Sequence, residues 1–350
     1  MLKILQTADF HIGTGFSSFD ENLQKKAENM QFQAITAMID YANAHEIDAI
    51  LIAGDIFDSQ TVDYELRTKL FSIFSKFDKN IYIVCGNHDF YFEHSFWDQT
   101  ELPENCHLTK TNTWEVTHEE KFTLFSASFT NIYENIDLTE ISVEADKINI
   151  GLVHADILHD SQYNAITQKD IKNSYLNYLA VGHNHKYSEI LKAFDTHYAC
   201  SGNISATGFD EAFENGFIVA TFDSGLTSFE FIKSEGLRIL HHEIDITSMT
   251  NTSKIKSEIL NLAHKNVYLK LSLVGIDNMN LDVNSLQFKD EFFAVNITNT
   301  TDKPEDLWRF INDDNLIGEF TRLMRIEYDK DENTREILNA LKLGIDSLIV

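Results

Sequence analysis

Several of the 14 histidines and 55 acidic residues of this 350-residue chain recur in one place, just after short apolar runs. Asp9 and His11 follow the run from Leu2 to Leu5, and Asp55 follows IDAILI, residues 47–52. Asn87, His88 and Asp89 follow the run from Ile81 to Val84. His154 closes the run from Ile148 to Val153, and His183 and His185 come after Leu179 to Val181. In order the series reads D-x-H, G-D-x-x-D, G-N-H-D, H and G-H-x-H. Carboxylate, carboxamide and imidazole together suit Mn²⁺, Fe²⁺ or Zn²⁺ better than Ca²⁺ or a thiolate site. Two such ions about 3.5–4 Å apart can share a carboxylate and clamp an in-line displacement at phosphorus. Each element alone is weak, because Asp-x-His arises by chance and a lone histidine after a strand is usually a hydrogen-bonded core or surface residue. The weight lies in the ordered series.

The elements that must position these residues alternate. Between the first two apolar runs, residues 21–44 read as a helix, with Met30, Ala34, Met38 and Ala42 at helical spacing beside Ile35 and Ile39. A second helix is expected from Tyr64 to Phe77. This β-α-β-α-β order implies a mainly parallel α/β sheet with right-handed crossovers. Ligands of such sheets bind beyond the carboxyl ends of the strands, which gathers the whole series on one rim. The i, i+2 spacing of Asp9/His11 and of His183/His185 points each pair one way if extended geometry continues.

Later strands are shorter. Residues 113–116, 122–126, 148–153, 179–181, 197–200, 217–222 and 228–232 are expected to build a second sheet. A boundary is expected near Gly236. Beyond it lie a strand (239–244), a helix (253–264) and two more strands (267–274 and 292–297), a small α+β unit. The tail from Pro304 to Val350 reads as amphipathic, acidic helix. It is either a helix pair packed on its own domain or a docking element for a partner. The expected domains are therefore 1–235, 236–303 and 304–350.

Composition narrows the function classes. With 43% hydrophobic and 24% charged residues, collagen-like and disordered chains are excluded. The balance of 28 basic against 55 acidic residues leaves a net charge of −27. A protein that holds nucleic acid through its own surface field should be basic. A nucleic-acid role must then rest on a local site, a bound metal or a partner. No apolar run approaches the roughly 20 residues of a membrane span. The first residues, MLKILQTADFH, are too short an apolar stretch for a signal peptide. Cys85, Cys106 and Cys200 form no CxxC pair and read as buried thiols of a cytoplasmic protein.

The motif series resembles the calcineurin-like metallophosphoesterase superfamily over about residues 1–232. Within it the chain looks most like the SbcD-type DNA repair exonucleases, in the bacterial branch that includes the YhaO proteins. The stretches that carry the likeness are LQTADFHIG, LIAGDIFD, LNYLAVGHNHKY and SGNISATGFDEAFENGFIVATF. The resemblance implies a four-layer α/β/β/α sandwich, with the small α+β unit as a DNA-capping domain and the helical tail as the docking candidate. It implies two divalent ions, manganese first, with iron, zinc or magnesium as alternatives. One ion is held by Asp9, His11 and His185, the other by Asn87, His154 and His183, with Asp55 as bridge. Water activated on the metals would attack phosphorus. His88 would stabilise charge or protonate the leaving oxygen, and Asp89 would orient its ring. Asp58 would serve as helix cap, outer support or substrate contact.

The partners implied are DNA and an SbcC-like coiled-coil ATPase, with a homodimer as a further implication. Two other readings stay open: a phosphoesterase for nucleotides or other small esters, and a non-catalytic regulatory subunit. The chain departs from the family in lacking a proline after Asp58 and in showing no basic cluster beyond Lys25-Lys26.

Overall fold

The computed structural model describes residues 1–16, 19–157, 159, 161–223, 226–288, 290–330 and 334–348. Residues 331–333 and 349–350 of the expected helical tail lie outside them. The chain divides into two compact units, Met1–Arg238 and Ile239–Val350.

In the first unit, β1 (Leu2–Thr7), β2 (Ala49–Ala53), β3 (Asn80–Val84) and β4 (Cys106–Leu108) lie side by side and parallel. The helices α1 (Glu21–Ala44) and α2 (Tyr64–Phe74) connect them. Asp20 caps α1, its carboxylate accepting from Leu23 N at 2.9 Å. The face of α1 carrying Phe32, Ile35, Met38 and Ile39 packs with Leu70 and Phe74 of α2 onto Leu5, Ile50, Ile52 and Ile83 of the sheet.

A second sheet holds β5 (Glu115–His118), β6 (Phe122–Ala127), β7 (Ile148–His154) and β8 (Tyr178–Gly182), then β10 (Thr196–Cys200) and β9 (Leu191–Ala193) at the far edge. Strands β6, β7, β8 and β10 run parallel. Helix α3 (Gln168–Ser174) covers its outer face through Ile171, with Leu138 and Ile141 beside it. Leu51, Ala53 and Val84 of the first sheet meet Leu124, Leu152 and Ala180 of the second in the central core. The result is the four-layer α/β/β/α sandwich.

The expected assignment of residues 217–222 and 228–232 to the second sheet is corrected. Strands β11 (Gly216–Asp223) and β12 (Leu226–Lys233) return to the first sheet, β11 antiparallel to β1. Strand β1 is buried on both faces, so a bare edge there would leave its backbone groups unpaired. On β11, Phe217 and Val219 reach the α1 side while Ala220 and Phe222 reach the central core.

One polar side chain ties the two sheets. Gln6 on β1 is fully buried, and its Nε2 donates to Val181 O and Ala199 O of the second sheet, both at 2.9 Å. The Tyr178 hydroxyl donates to Gln6 Oε1. A Gln6→Leu change strands these groups at a cost of roughly 1–3 kcal/mol each, so the expected loss is at least about 2 kcal/mol. Urea unfolding should show the midpoint falling with the slope unchanged, and Tyr178→Phe should recover part of the loss in the Leu background.

The second unit has β14 (Val267–Val274) between β13 (Arg238–Asp245) and β15 (Ala294–Asn299), with α4 (Thr252–Leu260) packed on it through Ile255 and Ile259. The tail helices α5 (Pro304–Trp308), α6 (Leu316–Tyr328) and α7 (Thr334–Leu348) belong to this unit, gathered around Ile276, Leu307, Leu338, Leu341 and Ile345. Among the described residues, no helix is long and apolar enough to cross a membrane.

Candidate metal centre

The rim where both sheets present their carboxyl ends brings the whole series together. The extended geometry on which the paired spacing was read does not continue here. Strand β1 stops at Thr7, and Asp9, His11, Asp55 and His183 all stand in the left-handed region, at φ 54°, 48°, 49° and 95°. These are costly conformations for such residues and are held only where the surroundings enforce them. Here backbone bonds do so. Asp9 N donates to Gly54 O at 3.1 Å, His11 N to Asp55 O at 3.0 Å and Ile12 N to Ile56 O at 2.8 Å, so the loops after β1 and β2 remain zipped together. Gln31 of α1 clamps the same loop from behind, its Nε2 donating to Phe10 O.

Glycines leave room for the side chains. A Cβ at Gly86 would enter the Asp55 carboxylate, and one at Gly54, itself at φ +89°, would enter the His154 ring.

Each imidazole is held by one nitrogen and turns the other inward. His154 Nδ1 donates to Ala53 O at 2.8 Å, which leaves Nε2 3.3 Å from Asp55 Oδ2 and 3.0 Å from Asn87 Oδ1. His183 is reversed. Its Nδ1 sits 3.1 Å from Asn87 Oδ1 and 3.3 Å from His154 Nε2. Asn87, His154 and His183 thus converge as one triangle of donor atoms. His11 Nδ1 contacts Asp58 Oδ1 at 3.0 Å, and its buried Nε2 has no hydrogen-bond partner and lies 3.8 Å from Asp55 Oδ2. The His185 ring lies 4.7 Å from that of His11. The Asp9 carboxylate accepts from His183 N at 2.9 Å and 3.1 Å. Asp9, His11 and Asp55 offer atoms close enough to share an ion, as do Asp55, His154 and His183. The orphaned His11 Nε2 and the oxygen-imidazole donor set fit a pair of divalent ions.

Asp58 takes the outer-support role among those expected of it, and Asp89 departs from its own. Asp58 orients His11, as a carboxylate does for a metal-binding imidazole. Asp89 does not reach the His88 ring, which corrects that expectation. It is fully buried, and its oxygens accept from Gly86 N at 2.8 Å, Ile56 N at 2.9 Å and Phe57 N at 3.2 Å. It ties the loop after β3 to the loop after β2. Burial and the neighbouring Asp55 push its carboxyl up to about 7. The His88 ring is held instead by Asp58 O, 2.9 Å from Nδ1, with its side chain 42% exposed.

Three supports went unread in the sequence: Glu211 on His185, Asp156, two residues past the end of β7, beside His183, and Asn164, which donates to His154 O at 3.0 Å. Of the other histidines near the motifs, His94 is exposed beside Glu93, His159 contacts Asp156, and His197 packs on Phe229.

The electrostatics favour a charged, proton-loaded cluster in the absence of ions. Burial alone would push His154 down, but Asp55 and Asp9 outweigh it and hold the ring up at about 9. His185 is likewise up at about 9, its burial offset by Glu211 and Asp9. Asp55 is the converse: burial would raise it, yet His154, His11 and His88 hold its carboxyl well below the usual range. Burial and the charge on His154 push His183 down to about 4, so it is already neutral. His11 is raised as well, against its burial, by Asp58 and Asp55, and a raised histidine must lose its proton to become a ligand, so metal uptake releases protons. Mn²⁺ affinity should therefore rise with pH, about tenfold per pH unit for each proton released, and level off near pH 9. Calorimetric titration in buffers of different ionisation enthalpy reads that proton count directly, and a pH-independent affinity would contradict it.

Comparison with known proteins agrees with this geometry. The family model for calcineurin-like phosphoesterases matches residues 2–212, which include every residue of the cluster. The uncharacterized metallophosphoesterase YhaO of Bacillus subtilis (strain 168) is 26% identical over 277 residues, 73% of this chain and 65% of that protein. The SbcD component of the nuclease SbcCD from Escherichia coli (strain K12) is 30% identical over 95 residues, 25% of this chain and 21% of that protein. The same component from Rhodobacter capsulatus is 31% identical over 93 residues, 25% of this chain and 22% of that protein. The chain thus spans less than two thirds of the length of each of these relatives. On the family match and the residues that fill it, the chain belongs to the calcineurin-like phosphoesterases.

Proposed function

We propose that the chain is a two-metal phosphodiesterase that cuts DNA in repair, working in the cytoplasm as nuclease subunit beside an SbcC-like coiled-coil ATPase. The observation that carries the hydrolytic part is His88, a half-exposed imidazole set beside a cluster of seven candidate ligand side chains, of which Asp9, His11, Asp55 and His154 are buried. Its ring stands 4.7 Å from that of His11, nearly edge-on. Asp9, His11 and His185 would hold one ion, Asn87, His154 and His183 the other, and Asp55 both. Two bound divalent ions, manganese first, would polarise the phosphoryl oxygens and lower the pKa of water.

The chain's own residues do the rest. A carbonyl only accepts, so Asp58 O keeps the proton of His88 on Nδ1. Among the described residues no protein hydrogen bond engages Nε2, which faces the substrate as an acceptor when the ring is neutral and as a donor when it is protonated. In the protonated form it can give its proton to the leaving oxygen.

The likeness of a short stretch to the SbcD component of a nuclease supports DNA as substrate, and the net charge of −27 favours the second reading, a small phosphate ester. The test offers single-stranded, blunt duplex and hairpin DNA, and in parallel a small phosphodiester, with Mn²⁺ or with chelator. DNA cleavage that stops on chelation supports the proposal. Turnover of the small ester alone favours the second reading. Bound metal with turnover of neither overturns both and leaves a regulatory subunit.

A further inference from the structure

Glu211 is a buried carboxylate, 5% exposed, in a loop to which the strand-end series assigns nothing. Its Oε1 lies 2.5 Å from His185 Nδ1. Its Oε2 accepts from Thr207 N at 2.6 Å, Asn203 Nδ2 at 2.9 Å and Gly208 N at 3.3 Å, and the Thr207 hydroxyl lies 3.1 Å from both oxygens. Every partner can donate, so the group must act as an acceptor, and a carboxylate is the side chain that only accepts. The same loop grips the other side of the histidine segment, where Asn203 N donates to His185 O at 2.9 Å.

We propose that Glu211 is the positioning residue of the metal centre: it holds the proton of His185 on Nδ1, fixes the ring plane, and leaves Nε2 as the ligand atom. This completes a pattern, since Asp58 does the same for His11 and Ala53 O for His154. Outer carboxylates of this kind sharpen the donor strength and aim of an imidazole ligand, and losing one costs about 10–100-fold in metal affinity. The loop 203–211 is thereby coupled to the ion that His185 would help hold, and among the described residues it makes no hydrogen bond to the side chains of Asn87, His154 and His183 assigned to the other. The inference rests on the two-metal reading of the site.

The test uses the full chain and Mn²⁺ as probe, followed by calorimetry and by the Mn²⁺ electron paramagnetic resonance signal. Glu211→Gln should weaken one of two Mn²⁺ sites about 10–100-fold and leave the other within about twofold. His185→Ala should weaken the same site, and adding Glu211→Gln to it should cost nothing further, because both act through one ring. Ser205→Ala loosens the same loop, where its hydroxyl accepts from Leu237 N at 3.0 Å and makes no bond to Glu211 or His185, and should leave both affinities within about twofold.

Equal weakening by Ser205→Ala, or additive losses in the double variant, would show a general loop effect and overturn the proposal. If Glu211→Gln does not fold, the nitrogen-15 spectrum of the histidines in Zn²⁺-loaded wild type decides: a proton on His185 Nδ1 is expected, and one on Nε2 overturns it. A wild type that binds no Mn²⁺ fails earlier and refutes the metal reading itself.

Discussion

Asp55→Asn should release both metal ions and take phosphodiester hydrolysis below detection. The argument is one of position. The Asp55 carboxylate approaches inward-facing ring nitrogens of both halves of the cluster, with Oδ2 3.3 Å from His154 Nε2 and 3.8 Å from His11 Nε2. Its other oxygen accepts from His88 N at 2.9 Å, so it also places the backbone that carries the candidate acid. The asparagine is nearly isosteric but brings no charge, and one of its two polar ends becomes a donor among donors. Two effects then add. A shared ligand is lost to both ions, and the positive charge on buried His154 loses the partner that held it. The metal-free variant should therefore also melt lower than metal-free wild type at neutral pH, by about 2 kcal/mol or more. Atomic absorption on the dialysed protein gives the metal content, and retention of two ions by Asp55→Asn would contradict the bridging role.

His88→Ala separates chemistry from assembly. Here hydrolysis should fall about 10²–10⁴-fold, the usual worth of a positioned proton donor, while two Mn²⁺ remain bound. The ring meets its surroundings through Nδ1, 2.9 Å from Asp58 O and 3.8 Å from Asp58 Oδ1, and through its edge contact with His11, and its side chain is 42% exposed, so removing it should leave stability nearly unchanged. The fall should be steepest for substrates with poor leaving groups and small for an ester whose leaving group departs without a proton. An equal loss on both ester types would assign His88 to charge stabilisation instead of proton delivery. Asp89→Asn behaves differently under this structure. It disturbs the bonds to Gly86, Ile56 and Phe57 and should act through folding, not through the His88 ring.

Much of this was legible because strand ends are legible. Asp55 and Asn87 follow five-residue buried strands of continuous apolar character, and a parallel sheet sends such residues to one rim. Helix α1 was readable to its ends, Glu21 and Ala44, from the run of Met30, Ala34, Met38 and Ala42.

What was not legible depends on contacts distant in sequence. The role of Asp89 looked like that of a neighbour to His88, yet its oxygens are consumed 32 and 33 residues back at Phe57 and Ile56. Glu211 lies 26 residues beyond His185, in a loop with no period to read. Strands β4 and β9 are three residues each, too short to show alternation. The return of β11 to β1 is a choice of pairing partner, and an apolar strand does not name its partner.

The tie formed by Gln6 has a consequence for how the protein comes into being. Asp9, His11, Asp55 and Asn87 belong to one sheet, and His154, His183 and His185 to the other. Neither sheet alone holds a complete ligand set, and the nearest cross-sheet pair, Asn87 and His154, is separated by 67 residues of chain. A nascent or half-unfolded chain is therefore without a working centre, and cannot hydrolyse anything before its two halves have closed on each other. Ions that bind only the closed form act as a latch across the seam and raise its persistence with their concentration. Hydrolytic competence and structural completeness become the same event, a useful property in an enzyme whose proposed substrate is the cell's own DNA.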